Sequence, residues 1–188
     1  DVYKNKIATK VNGMALELGR LNRLYMQAQR DMNTTKKYYP DANSTLRVAF
    51  GNVKSYYPRD GVKYNYYTTL DGIMEKYIPG DEEFDVSSKL MDLYKRKDYG
   101  PYAYNGSVPV AFIATNHTTG GNSGSPVLNA YGQLIGTNFD RVWEGTMSDI
   151  LFNPEICRNI TLDIRYTLFV IDKYGEAKRL IAEMDIVK

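Results

Sequence analysis

Ser123 stands inside Gly121-Asn122-Ser123-Gly124-Ser125-Pro126, followed by Val127-Leu128, a Tyr131-Gly132 turn and the apolar stretch Leu134-Ile135-Gly136. Two glycines and a proline packed this closely end any helix, and the apolar runs beyond them read as strand, turn, strand. The hexapeptide therefore commits this part of the chain to a sheet whose connecting loop exposes a serine. Its glycines let the backbone fold back tightly enough for the amides of Gly121 and Ser123 to converge on one point, where side chains would block access. Two converging amides beside an exposed hydroxyl suit a developing oxyanion, so the loop points to acyl transfer. On the hexapeptide alone, a Gly/Ser-rich hairpin loop without chemistry is the alternative.

The spacing argues against one large class of serine hydrolase. A lipase-type nucleophile elbow requires glycine two residues after the serine, and Ser125 occupies that position. The bulk numbers exclude others. The chain has 188 residues, 43% of them hydrophobic, which is enough to bury a core. Lys and Arg total 24 against 22 Asp and Glu, a net charge of +2, and such a balance gives no footprint for nucleic acid. The single cysteine, Cys157, has no partner for a disulfide or a zinc site and reads as a small buried hydrophobe. No run reaches the roughly 18 apolar residues of a membrane span. No cofactor is indicated.

Ile7, Val11, Met14, Leu18, Leu21, Tyr25 and Ala28 recur at spacings of four and three, predicting one helix with a continuous apolar stripe to about Arg30. Gly13 and Gly19 each cost about 1 kcal/mol relative to Ala, so the helix needs a surface to pack on. Pro40-Asp41-Ala42-Asn43 breaks the pattern. The alternation of Leu46, Val48 and Phe50 predicts a half-buried strand, and the Tyr-rich stretch from Tyr56 to Tyr67 predicts short strands or a hairpin. Thr69 is a candidate cap for a short helix over Asp71 to Lys76, and Ser87 or Ser88 for one through Leu90, Leu93 and Tyr94. Val108, Val110 and Phe112 form an alternating strand leading to the serine loop. Ile160 to Ile164 reads as a strand, Arg165 to Tyr174 as strand or helix, and Glu176 to Met184 as a terminal helix.

Beyond the serine loop, Phe139-Asp140-Arg141-Val142-Trp143-Glu144, Asp163-Ile164-Arg165-Tyr166 and Phe169-Val170-Ile171-Asp172-Lys173 complete a combination of motifs. Together with Thr118 to Pro126 and Leu134-Ile135-Gly136, they make the chain resemble the C-terminal part of the bacterial chymotrypsin-like dipeptidyl peptidases, in particular the Asp/Glu-specific kind. The resemblance runs from about Pro40 to the end and more weakly across the opening helix. It implies a mainly β fold with helices: a helical segment over 1–40, the end of an inserted helical domain, then one chymotrypsin-like β-barrel half over 41–188 with a C-terminal helix. It implies a peptidase of the bacterial periplasm or cell surface.

In that resemblance Ser123 is the nucleophile, and the backbone N–H groups of Gly121 and Ser123 form the oxyanion hole. Asp140 matches the position that holds the substrate's free α-amino group. Arg141 matches the position that sets preference at the residue on the acyl side of the cut, where glycine goes with apolar side chains and arginine with Asp or Glu. A guanidinium offers a fixed fork of donors to a carboxylate, so cleavage after acidic residues is expected. Taken alone, Asp140-Arg141 also reads as a turn with solvated charges. Trp143, the only tryptophan, reads as an anchor in the core or at its rim.

A serine nucleophile needs a base, and the only histidine, His117, lies six residues before Ser123. Its position on the run-in to the loop favours a structural role bonded to backbone. The resemblance puts the catalytic His and Asp in an amino-terminal half of the same protein, so the isolated 188-residue chain is expected to be inactive. Expected partners are peptides with a free N-terminus, that amino-terminal half, and a second copy of the chain. Two other readings stand beside this one: a self-contained hydrolase using His117, and a non-catalytic peptide-binding domain on a protease-like barrel.

Overall fold

Helical spacing produces the first element. Helix α1 (Thr9–Met32) follows a stretch of wider π-type turns over Tyr3–Ala8, and its stop is chemical. The Asn33 amide still reaches back to the Gln29 carbonyl, while its side-chain oxygen accepts from the Lys36 amide at 3.1 Å and the Thr35 hydroxyl at 3.0 Å. That local turn replaces the next helical bond. The predicted stripe is open within this part of the chain: Ile7, Val11, Met14, Leu18, Leu21 and Tyr25 are 45–68% exposed.

The computed structural model describes residues 2–36, 38 and 44–187, and the chain divides into two units, Asp1–Thr45 and Leu46–Lys188. The predicted helix breaker from Pro40 to Asn43 lies outside the described residues.

In the second unit, strands β1 (Tyr56–Arg59) and β2 (Val62–Tyr64) form a hairpin closed by Asp60-Gly61, with Gly61 at φ +73°. Strand β3 (Tyr67–Thr69) runs into helix α2 (Leu70–Glu75), and helix α3 (Ser88–Arg96) is capped where expected, Ser87 Oγ accepting from the Leu90 amide at 3.3 Å. Strands β4 (Pro109–Ala114), β5 (Pro126–Leu128), β6 (Leu134–Arg141) and β7 (Asn159–Asp163) complete the β structure. A 3₁₀ segment, Trp143–Asp149, links β6 to the loop before β7. The ambiguous stretch after β7 is helical, α4 (Ile164–Phe169) loosening into π-type turns over Val170–Tyr174. Asp163 caps it, accepting from the Arg165 amide at 2.9 Å. The terminal helix α5 is shorter than predicted, Lys178–Ala182.

One antiparallel sheet organises this unit, in the order β3-β4-β7-β6-β5. It is open. Its edge strands β3 and β5 have three residues each and do not pair with one another, so the described residues form a mixed helix and sheet fold without a closed barrel. The helices cover a core of Leu70, Leu93, Tyr99, Tyr102, Val108, Leu168 and Phe169. Burying apolar side chains of this size contributes about 1.5–3 kcal/mol each.

The alternating stretch at Leu46, Val48 and Phe50 is not a strand, and those side chains are 78–92% exposed. Alternation stabilises a strand only when one face is covered. Here the chain runs beside residues 113–116, tied by the Asn116 side chain to the Ala49 carbonyl at 3.1 Å and by the Thr115 hydroxyl to the Asn52 amide at 2.9 Å.

Candidate active site

The serine loop connects β4 to β5, and its shape follows from its glycines. Gly121 (φ +98°) and Gly124 (φ +83°) sit in the left-handed region that side chains disfavour. Within the loop, Asn122 accepts from the Thr119 amide through Oδ1 at 2.8 Å, and its own amide donates back to the Thr119 carbonyl at 3.2 Å. The Ser125 amide and hydroxyl both donate to the Asn122 carbonyl. Ser123 is exposed at the tip. Neither its amide nor that of Gly121 donates a hydrogen bond among the described residues. Two unengaged amides next to an exposed hydroxyl can stabilise an anion forming there.

Strand β6 fixes this loop in place. The Gly124 amide donates to the Asn138 carbonyl at 2.8 Å and the Asn138 amide to the Ser125 carbonyl at 2.9 Å. Below them runs a buried polar chain. Asn159 Nδ2 donates to Asn138 Oδ1 at 2.9 Å and to Thr161 Oγ1 at 3.2 Å, while Asn138 Nδ2 donates to the Asn122 carbonyl at 3.3 Å. Asn138, Asn159 and Thr161 are 6%, 2% and 0% exposed, and polar groups so deep are retained where their partners are fixed.

The β6–β7 register shifts at Phe139: Asn138 faces Thr161, and Asp140 already faces Ile160. Phe139 is the extra residue of a β-bulge, a device that re-aims neighbouring groups. Its carbonyl accepts the Ser123 hydroxyl at 3.3 Å.

Asp140 and Arg141 follow the bulge, at the same end of the sheet as the Ser123 loop, because Pro126 pairs with Thr137. Asp140 is exposed, and its Oδ1 accepts from the Arg141 amide at 2.7 Å. Arg141 bends toward the 3₁₀ segment. Nη1 donates to Ser148 Oγ at 2.6 Å and to Asp149 Oδ1 at 2.9 Å, and Nη2 donates to Asp149 Oδ2 at 2.7 Å. The Asp149 carboxylate pushes the Arg141 guanidinium above its ordinary range, and the same pair holds the Asp149 carboxyl below the usual carboxylate value.

His117 joins the 3₁₀ segment. Its Nε2 lies 3.1 Å from the Ser148 carbonyl, and its ring stacks on Phe152 with centroids 4.4 Å apart. Trp143 departs from its reading as a core or rim anchor: it is 85% exposed at the start of the 3₁₀ segment, where the chain leaves the sheet. Cys157 is a buried free thiol.

Arg158 is the residue that pattern reading misses most completely. It is 2% exposed, and its guanidinium donates to the carbonyls of Lys54, Ser55, Pro154, Glu155 and Cys157 at 2.7–3.4 Å. Tyr56 stacks beneath it, centroid 5.4 Å away, and gives its own hydroxyl proton to Glu144 at 2.7 Å. Burial pushes the Tyr56 phenol well up and draws the Arg158 guanidinium down.

A cavity of about 740 Å³ lies elsewhere, lined by residues including Tyr66, Phe112, Leu134, Asp163, Arg165 and Met184; Ser123, Asp140 and Arg141 are not in its wall. Among the described residues no three His, Cys, Asp or Glu side chains gather as metal ligands, and no helix is long and apolar enough to cross a membrane.

An open antiparallel sheet thus presents, at one end, a serine on a glycine turn together with a carboxylate and a guanidinium. The chain belongs to the Peptidase S46 family, whose pattern it matches over residues 2–186. It is 58% identical over 187 residues to an Asp/Glu-specific dipeptidyl-peptidase of Flavobacterium psychrophilum, covering 100% of this chain and 26% of that protein. A dipeptidyl-peptidase 7 of Phocaeicola vulgatus is 50% identical over 189 residues, again spanning 100% of this chain and 26% of the relative. The crystal structure of Porphyromonas endodontalis DPP11 in complex with the dipeptide Arg-Asp aligns with a TM-score of 0.87 and 50% identity, over 95% of this chain and 26% of that one. The chain thus spans about a quarter of the length of these relatives.

Proposed function

We propose that this chain is the nucleophile-bearing, C-terminal portion of a serine dipeptidyl peptidase that removes dipeptides from free N-termini, cutting after Asp or Glu. The observation that carries the reading is the juxtaposition at one sheet end of the Ser123 loop, with its two unengaged amides, and the Asp140-Arg141 pair on β6. The names of the relatives and the Arg-Asp dipeptide bound by the DPP11 structure support it.

In this mechanism Ser123 Oγ releases the Phe139 carbonyl, loses its proton to a base and attacks the scissile carbonyl. The amides of Gly121 and Ser123 stabilise the resulting oxyanion until the carbon–nitrogen bond breaks and the amine leaves with the proton. Asp140 balances the substrate's α-ammonium, which fixes the cut two residues from the N-terminus. Arg141 receives the acidic side chain. His117 is engaged with the Ser148 carbonyl and the Phe152 ring, so the base and its orienting carboxylate come from a part of the protein outside these residues. Loss of the base alone costs about 10⁶-fold in kcat in a well-studied serine protease, so the isolated chain shows no measurable turnover. A bacterial periplasmic or surface location fits the reading.

The test uses the full-length protein and paired fluorogenic dipeptides ending in Asp or Leu, each with a free or an acetylated N-terminus. The Asp-ending free amine is expected to be cleaved far faster than the other three, with activity abolished by Ser123→Ala and the Asp preference lost in Arg141→Gly. Preference for Leu in the wild type removes Arg141 from the pocket, and equal cleavage of acetylated substrate removes Asp140 from amine recognition.

A further inference from the structure

A guanidinium can hold a carboxylate side by side along two edges, through Nη1 and Nη2 or through Nε and Nη2. In Arg141 the first edge is taken: Asp149 occupies it with both oxygens, at 2.9 and 2.7 Å, and Ser148 Oγ accepts the other Nη1 hydrogen at 2.6 Å. Nε–H and the second Nη2–H donate to nothing among the described residues. We propose that Ser148 and Asp149 are positioning residues for acidic-substrate recognition: they clamp the Nη1/Nη2 edge of Arg141 and present the Nε/Nη2 edge to the substrate's side-chain carboxylate. The inference rests on the reading of Arg141 as the acid-selecting residue.

The clamp is itself anchored. Ser148 is only 4% exposed, and its carbonyl lies 3.1 Å from His117 Nε2, whose ring stacks on Phe152. The 3₁₀ segment packs back on the end of β6 and the loop before β7 through Gly145, where an added Cβ would lie 3.7 Å from Cys157 Cα and Val142 Cγ2 and 3.9 Å from Arg141 Cβ. A free arginine loses rotamer freedom when it fastens onto a ligand, whereas one already held at one edge has lost most of it before binding. Asp149 also supplies a counter-charge while the subsite is empty, so the three-quarters-buried Arg141 side chain is never an unpaired cation. The second carboxylate lowers the bare attraction for an acidic substrate. Selectivity then comes from the planar fit of two N–H groups to two oxygens, which a neutral side chain cannot provide.

The experiment measures kcat and KM of the full-length enzyme and its Asp149→Ala variant on Asp-ending and Leu-ending fluorogenic dipeptides. Loss of the clamp is expected to raise KM for the Asp-ending substrate about 10-fold, change its kcat much less, and lower the Asp-over-Leu ratio of kcat/KM by a similar factor. A lower KM for the Asp-ending substrate identifies Asp149 as a competing counter-ion and overturns the proposal, as does an equal loss on both substrates. If Asp149→Ala does not fold, Ser148→Ala is expected to raise the same KM about threefold, and an unchanged KM there overturns the clamp. Failure of the underlying reading looks different: the wild-type enzyme then shows no preference for Asp at all.

Discussion

Replacing Arg158 by methionine keeps most of the aliphatic stem and removes the five-donor head from a site that is 2% exposed. Three of the abandoned carbonyls, on Cys157, Pro154 and Lys54, were bonded at 2.7, 2.8 and 3.1 Å, and those on Glu155 and Ser55 more loosely at 3.3 and 3.4 Å. Leaving a buried acceptor without its donor costs about 1–3 kcal/mol, offset by the desolvation of the cation that the variant no longer requires. Counting the three short bonds at the low end and the long ones as nothing gives a loss of about 3 kcal/mol before that offset. Arg158→Lys retains the charge but can aim three hydrogens instead of five in a fixed plane, so it recovers only part of that loss. Urea unfolding of both variants beside the wild type measures it. A loss under about 1 kcal/mol for methionine, or full recovery by lysine, refutes the assignment of Arg158 as the pin joining residues 54–55 to the loop before β7.

Gly136→Ala places a Cβ 2.3 Å from the Leu162 carbonyl oxygen and 2.5 Å from Thr161 Cγ2, at the Asp163 end of the β6–β7 pairing, where the close neighbour is backbone. It is expected to destabilise by about 2–3 kcal/mol in thermal melts, whereas Gly145→Ala, whose added Cβ meets only ordinary contacts at 3.7 Å and beyond, stays within about 1 kcal/mol of wild type. Asp71 accepts from the Tyr94 hydroxyl at 2.7 Å and the Thr69 hydroxyl at 2.9 Å, and the Tyr94 bond, first among its causes, holds the carboxyl below its usual value. A lowered folded value means that this stabilisation is complete above the unfolded carboxyl value of about 3.9 and is lost as pH falls through the folded one. Asp71→Asn should therefore flatten the acid limb of a plot of melting temperature against pH, and an unchanged limb would count against the pairing.

The legible parts of the chain were those where one residue type dictates one backbone state. Gly121 and Gly124 announce a tight turn because positive φ is cheap only for glycine, and both adopt it. The α1 stripe and the Ser87 cap followed from helical geometry. Leu46, Val48 and Phe50 alternate like a strand yet belong to no strand among the described residues, because periodicity records a side chain's preference and not the presence of a partner. Asn138, Asn159 and Arg158 were invisible for the opposite reason: by composition they belong at the surface, and only the tertiary fold supplies the carbonyls and amides that make their burial tolerable. The bulge at Phe139 leaves no mark in the alternation, and Asp149 meets Arg141 only because a 3₁₀ segment turns back on the strand it has just left.

That geometry bears on how reaction and selection are coupled in the proposed enzyme. Asn138 grips the serine loop with its amide, carbonyl and side chain, and Arg141 lies three residues further along the same strand. Between them stands one bulge, whose carbonyl holds the Ser123 hydroxyl. The spacing from the hydroxyl to the selecting guanidinium is therefore set by β6, by its pairing with β7 and by the 3₁₀ segment that holds the Arg141 head. Small displacements of a reacting group by about 1 Å cost orders of magnitude in rate, and a strand registered on a buried asparagine ladder is a stiff ruler. An acidic side chain seated on Arg141 is thereby linked to the position of the scissile carbonyl over Ser123. A neutral substrate that binds without that contact lacks the same alignment, so the proposed discrimination acts on the chemical step as well as on affinity.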